Sequence, residues 1–197
     1  MANKDHLHLL KAGVDSWNEW RAEQTDLKAD LQEADLSRLD LSKANLYQVN
    51  LAGANLNRTN LRWTLLSNAD LSEADLSEAD LHESTLIMAT LVRANLSGAK
   101  LYGATLNGAT LHKANLTQAI LYGANLSEAN LSHANLSGAT LYGAILNETD
   151  LRYTNLKGAD LSQTDLNRAK LNRALYNQAT TWPPYFDPLA RGAINQT

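Results

Sequence analysis

Cysteine is absent from the 197 residues, which excludes disulfide frameworks, thiolate metal sites and a cysteine nucleophile. Flexible and aromatic core residues are scarce as well: 2 Met and 1 Phe cannot build an ordinary globular core of mixed shapes. Proline occurs 3 times, only in the closing segment Thr181-Trp-Pro-Pro-Tyr-Phe-Asp-Pro, so the rest of the chain is free of the residue that cannot donate to a β ladder. No apolar run reaches the length of a signal or membrane segment, because charges at Lys11, Asp15 and Glu19 break the N-terminal stretch. A soluble, cytoplasmic protein is expected.

What is present is leucine, at every fifth position from Leu31 to Leu171, 29 times without a miss. On an α-helix a five-residue step turns the side chain by about 140°, and on a strand an odd step flips it between faces. Only a chain that turns a corner every five residues keeps all these leucines on one side. The residue two before each leucine is Ala at 21 of the 29 positions, with mostly Thr or Ser elsewhere and with Leu39 and Val49. Both positions are expected to point inward. Asp or Asn usually precedes the leucine, and mixed polar residues or Gly follow it, as turns on a solvated outer surface require.

Stretches such as Ala69-Asp-Leu-Ser-Glu-Ala-Asp-Leu-Ser-Glu and Ala124-Asn-Leu-Ser-Glu-Ala-Asn-Leu-Ser-His resemble the pentapeptide-repeat family over residues 26–174. That resemblance implies an all-β solenoid, a right-handed quadrilateral β-helix with about 20 residues per coil. Two registers agree with four sides. Leu-Tyr-Gly-Ala recurs from Leu101, Leu121 and Leu141, and Asp35, Asn55, Asp75, Asn95, Asn115, Asn135 and Asn155 remain Asp or Asn throughout. Roughly seven coils at about 4.8 Å each give a rod about 35 Å long.

An open coil exposes leucines and unpaired backbone, so both ends need covers. Residues 1–25 are expected to form an N-terminal α-helical cap, with Leu7, Leu10, Val14, Trp17 and Trp20 in an apolar stripe that Gly13 weakens. Residues 175–197 form a C-terminal cap or tail. Its apolar residues either fold over the last coil or make a dimer contact, leaving monomer and dimer both open.

Three surface features are candidates for partner binding. Residues 26–85 carry 11 acidic and 5 basic side chains, and residues 86–174 carry 5 acidic and 8 basic ones. The densest acidic group, Asp70, Glu73, Asp75, Glu78, Asp80 and Glu83, places two carboxylates on each of three sides. Some pentapeptide-repeat proteins imitate DNA and occupy DNA gyrase. Yet the alternation Asp30-Asn50-Asp70, and likewise from Asp35 and Asp40, spaces aspartates about 10 Å apart and reads as relief of repulsion. Second, Tyr102, Tyr122 and Tyr142 form a ladder beside Gly103, Gly123 and Gly143, serving either a protein contact or cross-coil stacking. Third, Trp63 lies outward next to Leu65, as do Ile87, Val92, Ile120 and Ile145.

The column Arg93, Lys113, His133, Tyr153 and Arg173 suits an acidic segment or a phosphate. The negative net charge of −4 speaks against nucleic acid. His112 and His133 lack a third metal ligand, and no cofactor or catalytic group is expected. Repeated Asn-Leu-Ser sequons and the capping-box match at Ser77 are by-products of the repeat. The expectation is a non-enzymatic scaffold presenting flat faces to an unidentified protein partner. The flanks around Trp17 and Trp182 are similar to those of cyanobacterial family members, some of which regulate heterocyst differentiation.

Overall fold

A computed structural model describes residues 1–24 and 27–196. The expected boundary between residues 25 and 26 therefore lies outside the described residues, as does Thr197. Within the repeats each residue just before a leucine bridges in parallel to the residue 20 positions on, from Asp30 with Asn50 through Asn155 with Leu175. Four repeats make one coil. We number the sides by their first leucines: Leu31, Leu36, Leu41 and Leu46 begin the first to fourth sides.

The corner is a β-turn that starts on the leucine. Ala34 N–H donates to the Leu31 carbonyl at 3.1 Å, and the contact repeats along the rod. Its third residue is left-handed at every repeat, as at Glu33 (φ 59°), Gly123 (φ 63°) and Arg173 (φ 61°), which a type II turn demands. Most of these residues are not glycine. The strain is offset by the ladder: Leu31 N–H donates to the Asn50 carbonyl at 2.8 Å, and Glu33 N–H to the Ala52 carbonyl at 2.9 Å.

The interior is the double column the sequence implies. The repeat leucines and the alanines two before them are buried throughout, each leucine stabilising by about 2 kcal/mol before entropy is counted. The polar exceptions are satisfied internally. Thr59 Oγ1 donates to the Leu36 carbonyl at 2.8 Å, Thr64 to Leu61 at 2.7 Å, and Ser84 to Leu81 at 2.7 Å, so none leaves a buried hydroxyl unpaired.

The N-terminal cap is two helices rather than one. α1 (Lys4–Ala12) and α2 (Val14–Glu23) meet at Gly13, whose φ of 140° and ψ of 155° stop the first. A weakening glycine was expected; a break occurs, because Gly13 can take an extended left-handed backbone that lets both helices lie on the coil. Leu10 and Trp17 are buried. The cap also replaces the missing coil chemically. Trp17 Nε1 donates to the Asn45 carbonyl at 2.8 Å, Asn18 Oδ1 accepts the Asn45 N–H at 2.7 Å and its Nδ2 donates to the Lys43 carbonyl at 3.0 Å. The Arg21 guanidinium donates to the carbonyls of Leu27 and Tyr47 at 2.7 and 2.8 Å, and His6 Nδ1 accepts the Asp30 N–H at 3.0 Å.

At the other end the tail folds back. β1 (Leu175–Tyr176) pairs in parallel with β2 (Ile194–Asn195), and Thr181 bridges Asp160, one residue out of register. Trp182 lies edge-on to Tyr176 (5.5 Å) and stacks on Phe186 (5.3 Å), and both pack against the core. Pro183 and Pro184 of the tail, with Leu166 and Asn167 of the fourth side, line a recess of about 200 Å³. Leu166 is accordingly 5 % exposed where most repeat leucines are near zero. Tyr185, Leu189 and Ile194 stay exposed.

Candidate functional site

The asparagines and aspartates before each leucine do more than space charge. Asp35 Oδ1 accepts both the N–H (3.1 Å) and the hydroxyl (2.7 Å) of Ser37, closing an Asx turn at the corner. Asn50, Asn55 and Asn60 each donate an amide proton to the aspartate one coil earlier, at 3.0, 3.1 and 2.9 Å. The Asp-Asn alternation is therefore a donor-acceptor ladder as well as relief of repulsion. The sequence shows the residue types but not the side-chain directions that make them bond.

The acidic group is largely engaged. Glu78 is held bidentately by Arg58 at 2.8 and 3.1 Å, and that guanidinium holds its carboxyl below the usual range. Glu73 meets Arg93 at 3.3 Å, Asp75 accepts from Ser77 and from Asn95 at 2.9 Å, and Glu83 accepts from Trp63 Nε1 at 2.9 Å. Asp80 is partly buried, which pushes its pKa up. Hydrogen bonds from His82 and the charge of Arg62 at 3.5 Å outweigh that and leave it lowered. Among the described residues the Asp70 carboxylate accepts only a backbone N–H, from Ser72 at 2.9 Å.

The tyrosine ladder forms at the corner between the third and fourth sides, with His82 at its head, a member the sequence reading missed. His82 stacks on Tyr102 at 4.4 Å, Tyr102 lies tilted to Tyr122 at 6.2 Å, and Tyr122 stacks on Tyr142 at 5.4 Å and 8°. The rings face one another within the His82–Tyr102 and Tyr122–Tyr142 pairs. Tyr122 is 50 % exposed, Tyr142 is exposed and Tyr102 is half-buried. Beside them, a Cβ on Gly123 or Gly143 would meet nothing within 4 Å, so the glycines leave an open shelf and answer to the turn's positive φ. Trp63, one coil before His82 and 44 % exposed, lies under the Arg62 guanidinium at 4.8 Å. Next to it Leu65, Ile87 and Met88 are exposed on the fourth side.

His112 and His133 do approach edge-on at 5.4 Å. Burial, then Lys113, His133 and Arg93, lower the His112 pKa against a raising hydrogen bond to the Ser132 backbone. Among the described residues no group of three or more His, Asp or Glu is placed to hold a metal. A recess of about 400 Å³ near the N-terminal end is lined by Lys28, Gln48, Asn50, Asn68 and Asp70, which pairs no nucleophile with a base. Among the described residues no helix is long and apolar enough to cross a membrane.

The model of pentapeptide repeats matches in 8 copies spanning residues 29–174. The chain belongs to the pentapeptide-repeat family. As a pentapeptide-repeat protein it is similar to the crystal structure of HetL, a pentapeptide-repeat protein involved in heterocyst differentiation regulation from the cyanobacterium Nostoc sp. strain PCC 7120. The two share 31 % identity over 89 % of this chain and 90 % of that one, with a TM-score of 0.55. A pentapeptide-repeat protein from the Arabidopsis thaliana thylakoid lumen is 38 % identical over 48 % of this chain and 66 % of its own, with a TM-score of 0.47. QnrB1, a plasmid-mediated fluoroquinolone resistance protein, is 19 % identical over 87 % of this chain and 83 % of its own, with a TM-score of 0.38, too low to carry an argument about function. No curated protein matches the chain.

Proposed function

We propose that this pentapeptide-repeat protein is a non-enzymatic scaffold whose aromatic corner, Trp63, Tyr102, Tyr122 and Tyr142, docks a protein partner. The observation that supports this reading is the exposed Tyr122–Tyr142 stack beside an open glycine shelf. Tyrosine edges combine apolar area with a hydroxyl, the chemistry enriched at interface centres, and the neighbouring fourth side adds Leu65 and Ile87. Similarity to HetL makes a regulatory role in a cyanobacterial setting the natural context. The test is the double variant Tyr122→Ser/Tyr142→Ser in affinity purification from the native organism. A partner retained by wild type is lost by the variant at unchanged melting temperature; equal retention removes this corner.

The second reading, a DNA mimic that occupies DNA gyrase, draws on the carboxylates between Asp70 and Glu83. Their pairing with Arg58, Arg93, Arg62, His82 and Trp63 weighs against it, since a DNA mimic needs unpaired charge at about one per 1.7 Å. Unaltered supercoiling by purified gyrase in the presence of wild-type protein ends that reading. A dimer through the exposed Tyr185, Leu189 and Ile194 of the tail is checked by sedimentation.

A further inference from the structure

The corner between the first and second sides changes sign along the rod. Its left-handed turn position carries Glu33 and Glu73 in the early coils, then Arg93, Lys113, His133, Tyr153 and Arg173. One flanking column runs Thr90, Thr110 and Asn130 before Asp150 and Lys170, and the other, Asn95, Asn115, Asn135 and Asn155, is neutral throughout. Asp150 is the carboxylate in the flanking columns, and Arg152 holds it at 2.6 Å; the adjacent corner carries Glu128 and Glu148, the latter paired with Arg168 at 2.8 Å. Arg93 is occupied by Glu73. Among the described residues no salt bridge reaches Lys113, Lys157, Lys170 or Arg173, and Lys113, Lys170 and Arg173 are exposed. A molecule of net charge −4 thus bears a ridge whose exposed cations Lys113 and Arg173 make no ion pair among the described residues.

We propose that the ridge from Lys113 to Arg173 is a docking site for a protein segment rich in aspartate and glutamate. Charge complementarity chooses the occupant. Three coils separate Lys113 from Arg173, a span of about 14 Å, which about four residues of extended chain cover. Nucleic acid fits less well. Its single strands need free aromatic faces for base stacking, and the one tyrosine here is covered on both, by His133 at 4.7 Å and 3° and by the Arg173 guanidinium at 5.7 Å. A second copy of this chain fits less well too, because three carboxylates of its densest acidic group, Glu78, Asp80 and Glu73, are already engaged by Arg58, Arg62 and Arg93. The ridge lies at the corner diagonally opposite the tyrosines, so the inference does not depend on that corner's role.

The test is fluorescence anisotropy with labelled octaglutamate at pH 7.5 and low salt. Wild type binds it saturably, and binding weakens about tenfold or more when salt is raised from about 50 to about 300 mM. Lys113→Glu/Arg173→Glu weakens it about tenfold or more, Lys113→Ser/Arg173→Ser weakens it less, and Lys100→Glu on the third side leaves it within about twofold. Tyr122→Ser leaves it unchanged. Four outcomes overturn the proposal: no saturable binding by wild type; equal weakening by Lys100→Glu; tighter binding of octathymidylate than of the peptide; or sedimentation showing that wild type dimerises through these residues and thereby excludes the peptide.

Discussion

The third turn residue sets the local cost of this fold. Each corner needs a left-handed backbone there, yet most are supplied by residues other than glycine, among them Glu128, His133 and Tyr153 (φ 60°, 63° and 60°). Gly123 isolates that cost, because a Cβ at Gly123 has no atom within 4 Å to strike. Gly123→Ala should therefore destabilise by about 1 kcal/mol through the backbone alone, read as a lowered denaturation midpoint. Glu128→Gly, at an exposed turn position without an ion pair, should move the midpoint up or leave it unchanged. A neutral Gly123→Ala would show that the ladder, and not the residue, bears the strain.

At the level of elements, the N-terminal helices act as a substitute coil. Asn18 reproduces a backbone unit by donating to the Lys43 carbonyl and accepting from the Asn45 N–H. Asn18→Ala orphans both groups and should cost about 1–3 kcal/mol. Because coils depend on their neighbours, the damage should be local. Amide exchange should quicken around Asn45 and stay slow around Leu131; uniform quickening would mean the rod unfolds as one unit. The break at Gly13 belongs to the same scale: a helix stripe is legible from spacing, whereas the direction in which α1 must turn to bring His6 to Asp30 is not.

Over the whole molecule, titration couples many turns to stability. The Ser37 hydroxyl lowers the pKa of Asp35, Arg152 that of Asp150 and Arg58 that of Glu78. Carboxylates depressed on folding contribute stability above their unfolded values, near pH 4, that is lost as pH falls through the folded ones. His112 is also depressed, from 6.5, so its neutral form is favoured by folding and its contribution fades below that pH. The melting temperature should decline slightly from about pH 6.5 downward and steeply below about pH 4. His112→Asn should remove the upper step alone; its survival would assign that step elsewhere.

The five-residue leucine interval by itself determined the winding, because no regular helix or strand keeps 29 such residues on one side. Alanine two positions earlier determined how narrow the interior is, and the 20-residue recurrence of Leu-Tyr-Gly-Ala put the tyrosines in one column. Pairing was another matter. Arg58 and Glu78, or Trp63 and Glu83, lie 20 residues apart, and only the stacking of coils and the rotamers across it turn a run of carboxylates into a set of occupied acceptors. The same stacking left Lys113 and Arg173 without an ion pair among the described residues. Composition along a chain fixes how much charge it carries, but three-dimensional neighbours decide how much of that charge remains to meet another molecule.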